Sequence, residues 1–151
     1  MEGRVLVSDQ IFDEVRSHLA VDLDFDWTAG NVTAMIVDSG GGALWTPDPT
    51  DDVVATILAA GAVEAATPAD RQTLTTPTSA LSGADHLVYM DSDPVVYPNI
   101  PNATTYDTLV LFQFVTNDAD SWLIAAYDLG AQTGDGSNVT VNPNTLGWLA
   151  W

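Results

Sequence analysis

The chain has 151 residues, 21 acidic side chains against three arginines and no lysine, and a formal charge of −18, yet 46% of it is hydrophobic. That pairing excludes a disordered acidic tail, which combines high charge with low hydrophobicity. It also excludes nucleic acid and anionic membrane surfaces as direct partners, because both are held by clustered Lys and Arg.

A length near 150 residues predicts one domain, residues 1–151, with enough chain to bury a core. The N-terminus has no apolar signal-peptide core and no run of 18 uncharged apolar residues occurs, so a soluble chain without a leader is expected. Ser8 as N-cap, Asp9 in the first turn, and Ile11, Phe12, Val15 and Leu19 at helical spacing predict an amphipathic helix over residues 9–19. Residues 31–38 (NVTAMIVD) read as a strand closed by the turn-forming run SGGG, residues 39–42. Residues 51–60 (DDVVATILAA) fit a short helix stopped at Gly61, although Val and Ile also suit a strand. Residues 71–76 and 86–90 are further strand candidates. Residues 108–115 (TLVLFQFV) and 122–128 (WLIAAYD), joined by the turn NDAD, predict an antiparallel pair. A turn at GDG (134–136), a strand through Val139 and Val141, and the closing LGWLAW follow. Short strands separated by Gly, Pro, Asp and Asn predict a mainly β fold. The expected form is an antiparallel β-sandwich, jelly-roll-like, with one short N-terminal amphipathic helix and a β-rich span over 31–151.

Catalytic chemistry is hard to assemble from these residues. There is no cysteine, and His18 and His86 are the only histidines. No G-x-S-x-G, Walker A or G-x-G-x-x-G pattern occurs, and no lysine follows Gly40–Gly42. Asp22, Asp24 and Asp26 alternate, but an EF-hand needs Gly at the sixth position and Glu at the twelfth, where Trp27 and Thr33 stand. These three, and Asp91 with Asp93, could hold Ca²⁺, Mg²⁺ or Na⁺ weakly as metal sites. The first group reads more simply as a solvated face with Leu23 and Phe25 turned inward, and the second first as a turn before Pro94. No other cofactor is expected.

Three N-x-T triplets, at Asn31, Asn102 and Asn138, exceed the roughly one that composition predicts. Asn102 and Asn138, near turns, are the candidate glycosylation sites. An Asn- and Thr-rich β surface is the other reading. Trp148 and Trp151 close the chain as candidate interface residues, with Trp148 also placed for the core.

The order of these segments resembles a family of small β-rich virion proteins of tailed phages and related tailed viruses. The residues carrying the likeness are the short N-terminal helix followed by NVTAMIVD (31–38), EAATPADRQTLTT (64–76) and DSDPVVYPNI (91–100). TLVLFQF (108–114) with WLIAAYDLG (122–130), and the close GDGSNVTVNPNTLGWLAW (134–151), continue it. Residues 51–66 depart from the pattern. The resemblance implies a non-enzymatic structural protein located in the virion, most simply a capsid surface decoration or turret component. Its partners would be the major capsid protein and copies of itself, as a trimer or pentamer. A tail or fibre component that binds a receptor or carbohydrate through exposed aromatics such as Trp27 or Trp45 is the alternative.

The missing lysine points to a setting. A carboxylate surface repels itself in dilute buffer, whereas in molar salt the Debye length falls to about 3 Å and the acids keep the surface hydrated. A halophilic particle, of a virus infecting a haloarchaeon, accounts for the composition; an acidic protein that binds cations or a basic partner is the competing account. Thermal melts against NaCl separate the two: the halophilic reading expects unfolding below molar salt, and full stability in dilute buffer counts against it.

Overall fold

The computed structural model describes residues 4–5, 10–18, 25–29, 31–67, 70–84, 86–144 and 147–150. It is mainly β, 42% strand and 13% helical, with antiparallel sheets as the pattern predicts. In chain order the elements are β1 (Arg4–Val5), β2 (Gln10–Ile11), α1 (Asp13–Ser17), a 3₁₀ turn (Trp27–Ala29), β3 (Val32–Asp38) and α2 (Val54–Ala60). There follow β4 (Val63–Glu64), β5 (Gln72–Thr73), β6 (Thr78–Leu81), β7 (Val88–Asp91) and β8 (Val95–Tyr97). The last are β9 (Thr105–Gln113), β10 (Trp122–Thr133), β11 (Val139–Asn142) and β12 (Leu149–Ala150).

A six-stranded sheet runs β2-β10-β9-β3-β4, with β5 also pairing β3. β3, β9 and β10 form its centre. Leu109 and Leu111 of β9 and Ala34 and Ile36 of β3 face one apolar cluster, while Val110, Phe112, Met35 and Val37 face another. Strands buried on both sides read as unbroken apolar runs, which is why TLVLFQF stands out in the sequence. β10 keeps to this plan with a bulge between Leu123 and Ala125, so that Ile124 and Ala125 both face the first cluster and Leu123 and Ala126 the second.

Two three-stranded sheets, β1-β11-β8 and β12-β7-β6, lie apart from this path. Val95 and Tyr97 of β8, Val139 and Val141 of β11, Met90 of β7 and Leu149 of β12 join the first cluster and cover that face. Trp45, Val54 and Ile57 cover the other, with Phe12. The N-cap of α2, Val53, supplies no side-chain bond. Its first N–H groups instead reach the turn after β9, Val54 to the Ser121 carbonyl (2.9 Å) and Ala55 to that of Asp118 (3.0 Å).

The expected helix over 9–19 is a correction. Among the described residues of that span the α-helix is Asp13–Ser17, extended by His18, and Gln10 and Ile11 pair instead with Ala126 and Ala125 of β10. The open edge of β10 takes main-chain partners from this segment, and pairing outweighs local helical periodicity. Ser8, Asp9 and Leu19 lie outside the described residues. At the far end, Gly134 binds the loop after β8: Gly134 N–H donates to the Thr104 carbonyl (2.8 Å), and Ala103 N–H to the Gly134 carbonyl (3.0 Å). A Cβ on Gly134 would lie 2.3 Å from the Pro101 oxygen. Gly134→Ala is expected to cost about 2 kcal/mol or more, read as a lower urea midpoint at unchanged slope.

Candidate functional site

The run Ser39–Gly42 is an anion nest filled by the chain's own carboxylate. Gly40, Gly41 and Gly42 take φ of 64°, 63° and 86°, a left-handed run that side chains other than glycine rarely adopt. It turns the Ser39 and Gly41 N–H groups toward Asp107, which accepts both at 2.8 Å. The Ser39 and Thr108 hydroxyls donate at 2.8 Å each. Asp107 is 6% exposed. Burial pushes its carboxyl up, but the hydrogen bonds from Gly41, Ser39 and Thr108 outweigh it and hold the group below the usual carboxylate range. It therefore stays ionised at neutral pH, held by these four donors. A groove of about 450 Å³, lined by Gln10, Pro47, Thr108, Tyr127 and Gly130, lies over it.

A second polar centre lies beside β3, formed by β4, the residue before β5 and the turn after β9. Arg71, its side chain 9% exposed, is held bidentate by Glu64 (Nε–Oε1 2.7 Å, Nη2–Oε2 2.9 Å) and by Asp118 (Nη1–Oδ1 2.5 Å, Nη2–Oδ2 3.1 Å). Its guanidinium sits 5.5 Å over the Phe112 ring. Hydrogen bonding to Glu64 leads in raising its pKa further above the ordinary arginine value. With both carboxylates in place the cation is neutralised locally, so this is a clamp rather than an anion site. Phe114 (43% exposed) and Val115 (50%) stand exposed where β9 ends.

Of the acids expected to hold metal, Asp26, Asp91 and Asp93 are described. Asp26 accepts the Thr28 N–H and hydroxyl, and Asp91 accepts the Ser92 N–H. Asp93 is exposed, and Asp22 and Asp24 lie outside the described residues. Trp27 does bring the two segments near each other, donating from Nε1 to the Asp91 carbonyl (2.8 Å). Among the described residues, however, no three His, Asp or Glu stand together as a metal site would need. His18 stacks on Trp122, with centroids 4.1 Å apart, and exposed His86 sits at the start of the β7 segment.

Trp148 belongs to the core. It is 2% exposed, donates from Nε1 to Ser92 Oγ (2.8 Å), and its carbonyl accepts the Tyr127 hydroxyl (2.6 Å). Trp151 lies outside the described residues. The aromatics considered for a carbohydrate platform are also inside: Trp27 is 2% exposed and Trp45 4%, the latter bonded to Asp51 Oδ2 (3.0 Å). Asn102 and Asn138 are both exposed.

Asp107 and Arg71 escaped the sequence reading because their partners are remote, 66–68 residues away for Asp107 and 47 for the Arg71–Asp118 pair. The available signals were a charged residue inside the apolar run YDTLVLF and the single arginine beyond residue 16.

Removing Arg71 leaves Glu64 uncompensated and largely buried, so Arg71→Met is expected to cost about 3 kcal/mol. For a chain of this size that lowers the melting temperature by roughly 6–12 °C. The depressed carboxyl of Asp107 contributes stability above the unfolded carboxylate pKa of about 4 and loses it as pH falls through the lower folded value. In molar NaCl, where repulsion is screened, the melting temperature is therefore expected to hold from pH 7 to 5 and to fall below about pH 4, with a shallower acid limb in Asp107→Asn. No family model, no curated protein and no solved structure matches the chain.

Proposed function

We propose that this chain is a non-enzymatic structural protein of a tailed virus particle, a capsid surface decoration or turret component that works in brine. The observation carrying this reading is what the aspartates do. Thr28, Thr50, Thr56, Thr67, Ser137 and Thr116 each donate a hydroxyl hydrogen bond to a nearby carboxylate, those of Asp26, Asp48, Asp52, Asp70, Asp135 and Asp120. Thr105 does the same for Asp38 across β9 and β3, and Ser39 for Asp107.

Carboxylates used in this way close turns and hydrate the surface together. Hydroxyl bonds come first among the causes keeping Asp26, Asp48, Asp52 and Asp135 below the usual carboxylate range. The resemblance of its segment order to small virion proteins points the same way. In molar salt long-range attraction is screened, so contacts with the major capsid protein and with further copies would rest on apolar groups such as Phe114 and Val115. A lattice of many weak contacts holds each copy by multivalency.

The test is to locate the chain on purified particles with a specific antibody under the electron microscope, together with peptide quantification. Label distributed over the shell, in numbers set by capsid symmetry, is expected. Label confined to tails or fibres moves the assignment to a receptor-binding component, and absence from particles overturns it.

A further inference from the structure

The three N-x-T triplets differ sharply in the folded chain. At Asn31 the threonine, Thr33, is buried between β9 and β5 and its hydroxyl turns back to the Asn31 carbonyl (3.4 Å). At Asn138 both the asparagine and Thr140 are exposed, since β11 turns Val139 and Val141 inward and Thr140 outward. At Asn102 the asparagine is exposed, and Ala103, at φ 65°, turns the chain before Thr104.

These two exposed triplets converge. Ile100 N–H donates to the Ser137 carbonyl (3.2 Å), and Gly136 N–H to that of Ile100 (2.9 Å). Asn99 N–H donates to Asn138 Oδ1 (3.2 Å). That bond fixes the side chain through its oxygen, while no described residue engages Nδ2. Asn102 Oδ1 lies 3.1 Å from where a Cβ on Gly136 would stand, so both asparagines crown the same pair of bonded loops.

We propose that Asn102 and Asn138 are a paired N-glycan acceptor patch at this end of the fold, and that Asn31 is not an acceptor. The donor class is an oligosaccharide carried on a lipid phosphate or diphosphate. The amide nitrogen Nδ2 attacks the anomeric carbon and a C–N bond forms. The anomeric C–O bond to phosphate breaks with its electron pair, and the amide proton passes to a base of the transferase. This proposal is independent of the virion reading, because it needs only exposed triplets in a glycosylating host.

The experiment is intact-mass measurement and glycopeptide mapping of the full chain made in an N-glycosylating host, whose own lipid-linked oligosaccharide is the probe. Two glycan masses are expected, with one lost in Asn102→Gln, one in Asn138→Gln, both in the double variant and none in Asn31→Gln. Thr104→Ala and Thr140→Ala, which keep each asparagine, should remove the same masses and so separate loss of acceptor recognition from loss of fold. Fewer than two occupied sites in the parent chain, or a glycan on Asn31, overturns the proposal.

Discussion

A strand with apolar side chains on both faces has to be covered twice, and β3, β9 and β10 impose that requirement on the rest of the molecule. One face is closed by the two small sheets, the other by α2 and the segment carrying Trp45. α2 is tied to the turn between β9 and β10 by main-chain bonds to Ser121 and Asp118, while β12 pairs with β7 inside its own small sheet, which meets the central strands through apolar side chains. The bulge in β10 shifts its alternation by one residue, so that Ile124 and Ala125 both face the same cluster. The polar groups that cannot leave the interior are few and mostly bonded: Asp107 in its glycine nest, Ser92 to the Trp148 indole, and Tyr127 to a carbonyl.

The surface obeys a different economy. Most acids with a described partner are bonded to a hydroxyl or N–H of their own neighbourhood, often in the pattern Asp-x-Thr or Asp-x-Ser, as at Asp26, Asp48 and Asp135. Such an acid contributes to the turn and to the charge at once, which lets a small chain hold a charge of −18 without a matching set of bases. Arg71, clamped by two carboxylates, spends one of three arginines on the interior rather than on balancing that surface.

The central strands were legible because both of their faces are apolar, so periodicity hardly mattered; the hairpin at residues 108–128 is the clearest case. α2 was legible from the stop at Gly61. The N-terminal helix was read too long because Gln10 and Ile11 obey a helical spacing locally yet sit against the edge of β10, a partner more than a hundred residues away. Asp107 and Arg71 failed for the same reason, since no local spacing encodes a contact across the sheet. The acidic clusters were hard to read for another reason: in a chain so rich in aspartate, alternating acids suit turns and solvent as readily as an ion, and of the described ones Asp26 and Asp91 bond to neighbouring chain.

The clamp at Arg71 also bears on how the chain meets proteases. With no lysine, an enzyme that cuts after basic residues has only Arg4, Arg16 and Arg71 to choose from, and two of these lie before residue 17. Cleavage at Arg71 requires its side chain to swing into a protease pocket, breaking four hydrogen bonds to Glu64 and Asp118 and lifting it off Phe112. Such a cut therefore needs local unfolding rather than a loop tip offered in the native state. The body of the folded chain, from residue 17 onward, thus presents no accessible basic residue to tryptic digestion.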